Sequence, residues 1–176
     1  MSARALIVVV PEAESLVGEL RLRYDESARQ GVPAHITVLF PFAAPEDVSS
    51  ETLVALGSLF ATHRSFAFQL SSVGRFPATS YLAPSPSEPF VSLTEAVWRA
   101  YPEHPPFAGE FDAIVPHLTV AHGNVGEAAV ANEIVAAALA REGAIRSVCR
   151  AVVLMENSSG RWRPMHEFAL ASQSGR

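Results

Sequence analysis

Lysine is absent: the 13 basic residues of the chain are all arginine. A general bias toward arginine accounts for that as readily as function does, so the distribution of charge says more. Residues 1–140 carry 7 Arg against 15 Asp and Glu, a net of −8, while residues 141–176 carry 6 Arg against 3 Glu, a net of +3, for a total of −5. Proteins that wrap long nucleic acid present a basic footprint, so no long nucleic acid is expected as a partner; one nucleotide end in a small basic cleft fits the charge. The single cysteine, Cys149, excludes an internal disulfide, cysteine-based zinc ribbons and CxxC redox motifs. It lies in the apolar stretch SVCRAVVLM, where a buried, inert thiol is expected. Long hydrophobic runs are also missing. The early run ALIVVVP, residues 5–11, is far short of the roughly 20 residues of a membrane-crossing helix, and it lacks the basic start and cleavage site of a secretion signal. No membrane association is expected, and a cytoplasmic location is the reading.

What is present is a chain of 176 residues, 49% hydrophobic and 18% charged. That suffices for one domain with its own core, without metal or disulfide staples. Residues 4–10 read as a buried strand. Pro11 then opens a helix carrying Leu16, Leu20 and Tyr24, stopped near Gly31. HITVLF follows as a strand. Ser49 or Ser50 caps a helix with Leu53, Leu56, Leu59 and Phe60 on one side. FAFQLSSVGRF and TSYLAP read as two strands joined by a turn near Pro77, and a helix follows around residues 90–100. HLTVA is a strand, residues 126–141 a helix, RSVCRAVVLMEN one continuous strand, and RWRPMHEFAL a last strand with Pro164 at an edge. The order repeats: sliding the chain by 82 residues lays PAHITV on VPHLTV and Tyr81 on Arg163. The expectation is a single domain of two facing lobes, residues 1–86 and 87–176.

The doubled element is His-x-Thr-x, as His35-Ile-Thr37-Val and His117-Leu-Thr119-Val. With 6 His and 6 Thr in the chain, composition gives roughly 0.2 such triplets by chance. A strand alternates faces with period two. His35 and Thr37 therefore share one face, His117 and Thr119 share the equivalent face, and Ile36, Val38, Leu118 and Val120 turn the other way. An imidazole and a hydroxyl placed twice on one face point to a cleft. Two imidazoles can accept and donate a proton near neutral pH. Two threonine hydroxyls can donate to phosphate oxygens where charge builds up. The set suits phosphodiester cleavage, which is mostly positioning and charge stabilisation.

These motifs, their spacing and the stretches PAHITVLFPF, VGRFPATSYLAP and VPHLTVAHG resemble the 2H phosphoesterase superfamily, in its branch of 2′-5′ RNA ligase and cyclic phosphodiesterase proteins. The resemblance covers most of the chain. It implies an α+β fold: bilobal, with duplicated antiparallel sheets and flanking helices around a central cleft. It implies that His35 and His117 act as general acid and base and that Thr37 and Thr119 bind phosphate. It further implies an enzyme that opens 2′,3′-cyclic phosphates on a nucleotide, ADP-ribose or RNA end. The alternatives are a 2′-5′ RNA ligase running the same chemistry in reverse, or a non-catalytic nucleotide- or RNA-end-binding module. Which histidine is acid and which base stays open at this point.

Around this quartet, Tyr81, Trp162, Phe42 and Phe76 are candidates to stack a base, and Arg163, Arg75 and Arg161 to meet phosphate. Alternation places His122 on the face of Leu118 and Val120, away from His117. His63 reads as a helix-end residue, His104 as an exposed one, and His166 as undecided. Catalytic zinc usually takes three protein ligands; HExxH, HxH and cysteine clusters are all missing, so no metal and no other cofactor is expected. The chain is expected to act as a monomer.

Overall fold

The computed structural model describes residues 3–43, 48–110 and 113–172. Eight strands form one antiparallel sheet: β1 (Arg4–Val9), β2 (His35–Leu39), β3 (Phe66–Phe76), β4 (Thr79–Ser85), β5 (Leu118–His122), β6 (Ile145–Cys149), β7 (Ala151–Glu156) and β8 (Arg163–Ala169). Their order across the sheet is β6-β3-β4-β5-β2-β1-β7-β8. The two motif strands, β2 and β5, are central neighbours, paired antiparallel at Ile36 and Leu118. Among the described residues the α-helices are α1 (Glu14–Tyr24), α2 (Glu26–Arg29), α3 (Ser50–Ala61), α4 (Glu88–Ala100) and α5 (Val125–Glu142), with a short 3-10 turn at Pro11–Ala13 opening the first. The fold is α+β, as the resemblance implies.

The helices start where the sequence supplies caps. The Ser49 hydroxyl accepts from the Thr52 amide at 3.2 Å to open α3, and the Asn124 side chain accepts from Gly126 and Glu127 to open α5. Such caps satisfy amides that have no partner within the helix. Gly143, at φ 86°, takes a positive-φ conformation open to glycine and ends α5. The helix-facing sides of the strands are aliphatic. Ile36, Val38, Leu118 and Val120 are at most 2% exposed and share a core with Val17 of α1, Phe90 of α4 and Val135 of α5. Phe90 meets Phe66 and Phe68 edge-on, with ring centroids 4.9 and 5.0 Å away. Burying such a ring contributes about 2–3 kcal/mol, so this layer holds the sheet and leaves its other face for polar groups.

Two expectations about organisation need correction. RSVCRAVVLMEN is not one strand. It breaks at Arg150 into β6, which pairs with β3 at one side of the sheet, and β7, which pairs with β1 near the other. Residues 1–86 and 87–176 also do not separate the two sides: β1, β2, β7 and β8 make one, and β3 to β6 the other. Each half of the chain contributes strands to both. Cys149 is buried, and burial pushes its thiol up to about 12, as expected for an inert residue. Among the described residues no helix is long and apolar enough to cross a membrane.

Candidate active site

The central pair of strands assembles the quartet. Ile36 lies opposite Leu118, and an antiparallel register about that point sets His35 beside Thr119 and Thr37 beside His117. Exposure alternates as the faces require. Ile36 and Leu118 are fully buried, while His35, Thr37, His117 and Thr119 are half-buried on the face away from the helices. The strands diverge after this point: the Val38 carbonyl accepts from the Thr94 hydroxyl of α4 at 2.7 Å.

Both imidazoles are oriented in the same way. His35 Nδ1 lies 2.8 Å from the Pro33 carbonyl, and His117 Nδ1 lies 2.6 Å from the Val115 carbonyl. A carbonyl only accepts, so each Nδ1 carries the proton and donates it. Each Nε2 is left as a lone-pair acceptor in the neutral ring. Burial and then the Arg21 charge push His35 down to about 4, against the Pro33 hydrogen bond and Asp25, which raise it. His117 is lowered mainly by burial, against its bond to Val115, with a further lowering from His122.

Aromatic rings surround His117. Tyr81 lies with its centroid 5.3 Å from the imidazole, Phe76 at 5.4 Å edge-on, and Phe107 at 6.4 Å nearly parallel. Tyr81 sits on β4 opposite Thr119, and its ring crosses β3 over Gly74. A Cβ at Gly74 would overlap that ring, so the position requires glycine. Phe107 and Ala108 hold left-handed conformations, at φ 50° and 55°, and the Phe107 amide donates to the Phe40 carbonyl at 2.6 Å. On the other flank, Trp162 meets Phe40 edge-on at 6.2 Å and packs on a smaller cluster with Ile7, Val32 and Val153. Ile7 pairs with Thr37, so this cluster borders the His35 side.

Two residues singled out from the sequence do not join this arrangement. Phe42 is fully buried between Tyr101 and His104, at 5.4 and 5.5 Å, with no surface for a ligand. That contact also leaves His104 half-buried rather than exposed. Arg163 lies on the outermost strand, separated from β2 by β1 and β7, and is ion-paired with Glu156. The Ser158 hydrogen bonds, and then that pairing, hold Glu156 down to about 2. The alignment of Tyr81 with Arg163 fails because the hairpins turn in opposite senses. β4 folds in against β5, whereas β8 folds out to the sheet edge.

Alternation misplaces one residue. The pairing of β4 with β5 shifts between Ser80 and Tyr81, so β5 carries an extra residue there. Val120 and Ala121 are both fully buried in the helix-side core, and His122 swings to the other face. It pairs with Thr79, two residues from Tyr81 on the same side of β4, and its Nδ1 lies 2.8 Å from the Thr79 hydroxyl. His122 therefore joins the face of His117 and Thr119. Nothing in VPHLTVAHG signals such a bulge.

A groove of about 520 Å³ between α3 and α4, lined by His63, Glu95 and Arg99, lies behind the sheet and holds none of the quartet. A metal site does not suggest itself either, since among the described residues no three His, Cys, Asp or Glu side chains cluster.

With this geometry in view, relatives can be compared. A family model described as the 2′-5′ RNA ligase superfamily matches residues 9–161. The chain belongs to this superfamily of 2H phosphoesterases. Solved structures with the fold include E. coli LigT complexed with 3′-AMP, at TM-score 0.59 and 16% identity over 96% of this chain and 98% of that one. LigT complexed with NADP+ matches at TM-score 0.59 and 16% identity over 97% and 98%. TT0787 of Thermus thermophilus matches at TM-score 0.61 and 16% identity over 97% and 99%. No curated protein sequence is significantly similar to the chain. This 2H phosphoesterase carries both His-x-Thr motifs on its two central strands.

Proposed function

We propose that this 2H phosphoesterase is a metal-independent phosphodiesterase that opens 2′,3′-cyclic phosphates on a nucleotide, ADP-ribose or RNA end. The observation that carries the reading is the pair of imidazoles on adjacent strands, each with Nδ1 tied to a carbonyl and Nε2 left to face the same side. His35, held neutral down to about 4, takes the proton of the attacking water. His117 gives a proton to the leaving ribose oxygen, and the approaching phosphate charge favours its protonated form. Proton exchange with solvent then returns His35 to its neutral form and His117 to its protonated form. Thr37 and Thr119 donate their hydroxyl protons to the non-bridging oxygens, where they meet the charge of the transition state. His122 adds a third donor on the Thr119 side.

Tyr81 and Phe76, 4.7 Å apart, offer a stacking surface for the base beside His117, and Trp162 borders the other flank. The LigT complexes with 3′-AMP and NADP+ support a nucleotide as ligand. The intact proton-carrying pair favours catalysis over a mere binding role. A cytoplasmic monomer of one domain completes the reading.

The test is a phosphorus NMR time course with 2′,3′-cyclic nucleotides and ADP-ribose 1″,2″-cyclic phosphate in EDTA. Wild type is expected to open the ring, and His35→Ala and His117→Ala to lose turnover. Retention of turnover in both variants overturns the mechanism. Formation of a 2′-5′ bond from RNA ends, without hydrolysis of any cyclic phosphate, moves the reading to ligation.

A further inference from the structure

The turn that delivers His35 is tied at every backbone polar group. The Val32 amide donates to Ser27 at 2.9 Å, and the Ala34 carbonyl accepts from Val10 at 2.8 Å. The Ala34 amide donates to the Glu14 carboxylate at 2.6 Å. Pro33 has no N–H, and its carbonyl holds His35. The remaining group, the Val32 carbonyl, accepts from Arg21 Nη1 at 3.1 Å. Arg21 is 2% exposed and Asp25 is 4% exposed. They form an ion pair at 3.0 Å, joined by Ser27. Among the described residues the Arg21 Nε has no hydrogen-bond partner.

Stability does not account for this arrangement. Replacing a buried ion pair by packed apolar side chains is often neutral or stabilising, and the rest of this face of α1 packs with aliphatics such as Val17. The comparable turn before His117 has one such tie among the described residues, the Val115 carbonyl to His117 itself. The pair therefore lies behind the turn of one histidine and not behind that of the other.

We propose that Arg21, held by Asp25, is the positioning residue of His35. Its hydrogen bond fixes the Val32–Pro33 peptide, next to the Pro33 carbonyl that holds the imidazole. Its charge acts on the same ring: after burial, it is the largest influence keeping His35 unprotonated, and Asp25 opposes it. The other charged or titratable groups around the ring are few. β5 contributes His117, which adds a smaller lowering. Glu14 of α1 is engaged by the Ala34 amide, and β1 offers only Val9 opposite His35. The catalytic meaning rests on the proposed phosphodiesterase, but the test does not.

Histidine ring signals would be followed by NMR against pH in wild type, in Asp25→Asn, and in Arg21→Met combined with Asp25→Asn. Asparagine keeps the cap on α2 and avoids an orphaned carboxylate. The double variant is expected to raise the His35 midpoint by about half a pH unit or more, with His117 unmoved. Asp25→Asn alone is expected to lower it, because the guanidinium then acts unopposed. An unmoved His35, or equal movement of both histidines, overturns the proposal. Should the double variant fail to fold, the sign seen in Asp25→Asn decides. With a cyclic phosphate as substrate, the double variant is further expected to lower kcat about tenfold with little change in KM. The acid limb of its rate profile should move with the NMR midpoint. If wild type turns over no cyclic phosphate, the functional reading fails while the titration still judges Arg21.

Discussion

The same four-residue motif is fixed in two different ways on the two central strands. On β2, His35 rests on a polar frame of Arg21, Asp25 and Glu14 acting through the peptide groups of residues 32–34. On β5, His117 is walled by Phe76, Tyr81 and Phe107. A polar frame fixes direction and charge; aromatic walls fix position by contact and leave faces that a flat ligand can share. An approximate two-fold in the motifs thus does not produce a symmetric site. The asymmetry suits a reaction in which one imidazole accepts a proton and the other donates it.

The comparison can be broken most sharply at the histidines. His35→Ala and His117→Ala should each lower kcat by about 10²–10⁴-fold, measured by ring opening of a 2′,3′-cyclic nucleotide. Full activity in either one would leave only half of the site catalytic. Next in size, Thr37→Val and Thr119→Val should each lower kcat by about 10²-fold, because each removes a donor that acts on the transition state. Unequal losses would show which side carries more of the phosphate charge. Gly74→Ala should displace Tyr81 and raise KM by about tenfold, roughly 1.4 kcal/mol of binding, while leaving the His35 titration alone. A change in kcat without a change in KM would mean that Tyr81 orients His117 rather than the base.

The acid side of stability sharpens the contrast further. His35 titrates near 4 in the folded chain and near 6.5 when unfolded. Between those values the unfolded chain binds the extra proton, so stability falls as pH drops from 6.5 to 4 and levels off below that. Urea midpoints at pH 4 and 7 should show a smaller difference in His35→Gln than in wild type. The smallest effect belongs to Arg163→Ala. Its side chain is largely exposed and its partner is Glu156, so turnover should stay within about twofold and the urea midpoint should barely move.

Much of the site is legible in the sequence because alternation writes faces directly into residue order. HITV and HLTV each state which side chains meet the helices, and Ile36 and Leu118 obey. What alternation does not write is which strand lies beside which. The stretch SVCRAVVLM holds no Gly, Pro or Asn to mark a break at Arg150, so it reads the same whether it is one strand or two on opposite sides of the sheet. Tyr81 and Arg163 occupy equal places in the sequence repeat, yet the turn sense of each hairpin decides which reaches the centre. His122 escapes the pattern for a related reason. A bulge adds one residue without a compositional mark, and one residue reverses every face beyond it. The buried Arg21–Asp25 pair looks in sequence like any surface i, i+4 pair, since nothing local tells a helix face covered by a turn from one open to water.

The crossing at Arg150 also dictates an order of assembly. Leu6 is made well before Leu154, its partner across the β1–β7 ladder. One edge of β1 must stay open until β7 has been made. That edge is the aliphatic run RALIVV, the kind of unpaired strand that seeks foreign partners. Such distant pairing makes for slow folding, and it makes the strand bearing the least chemistry the one most in need of protection while the protein is being born.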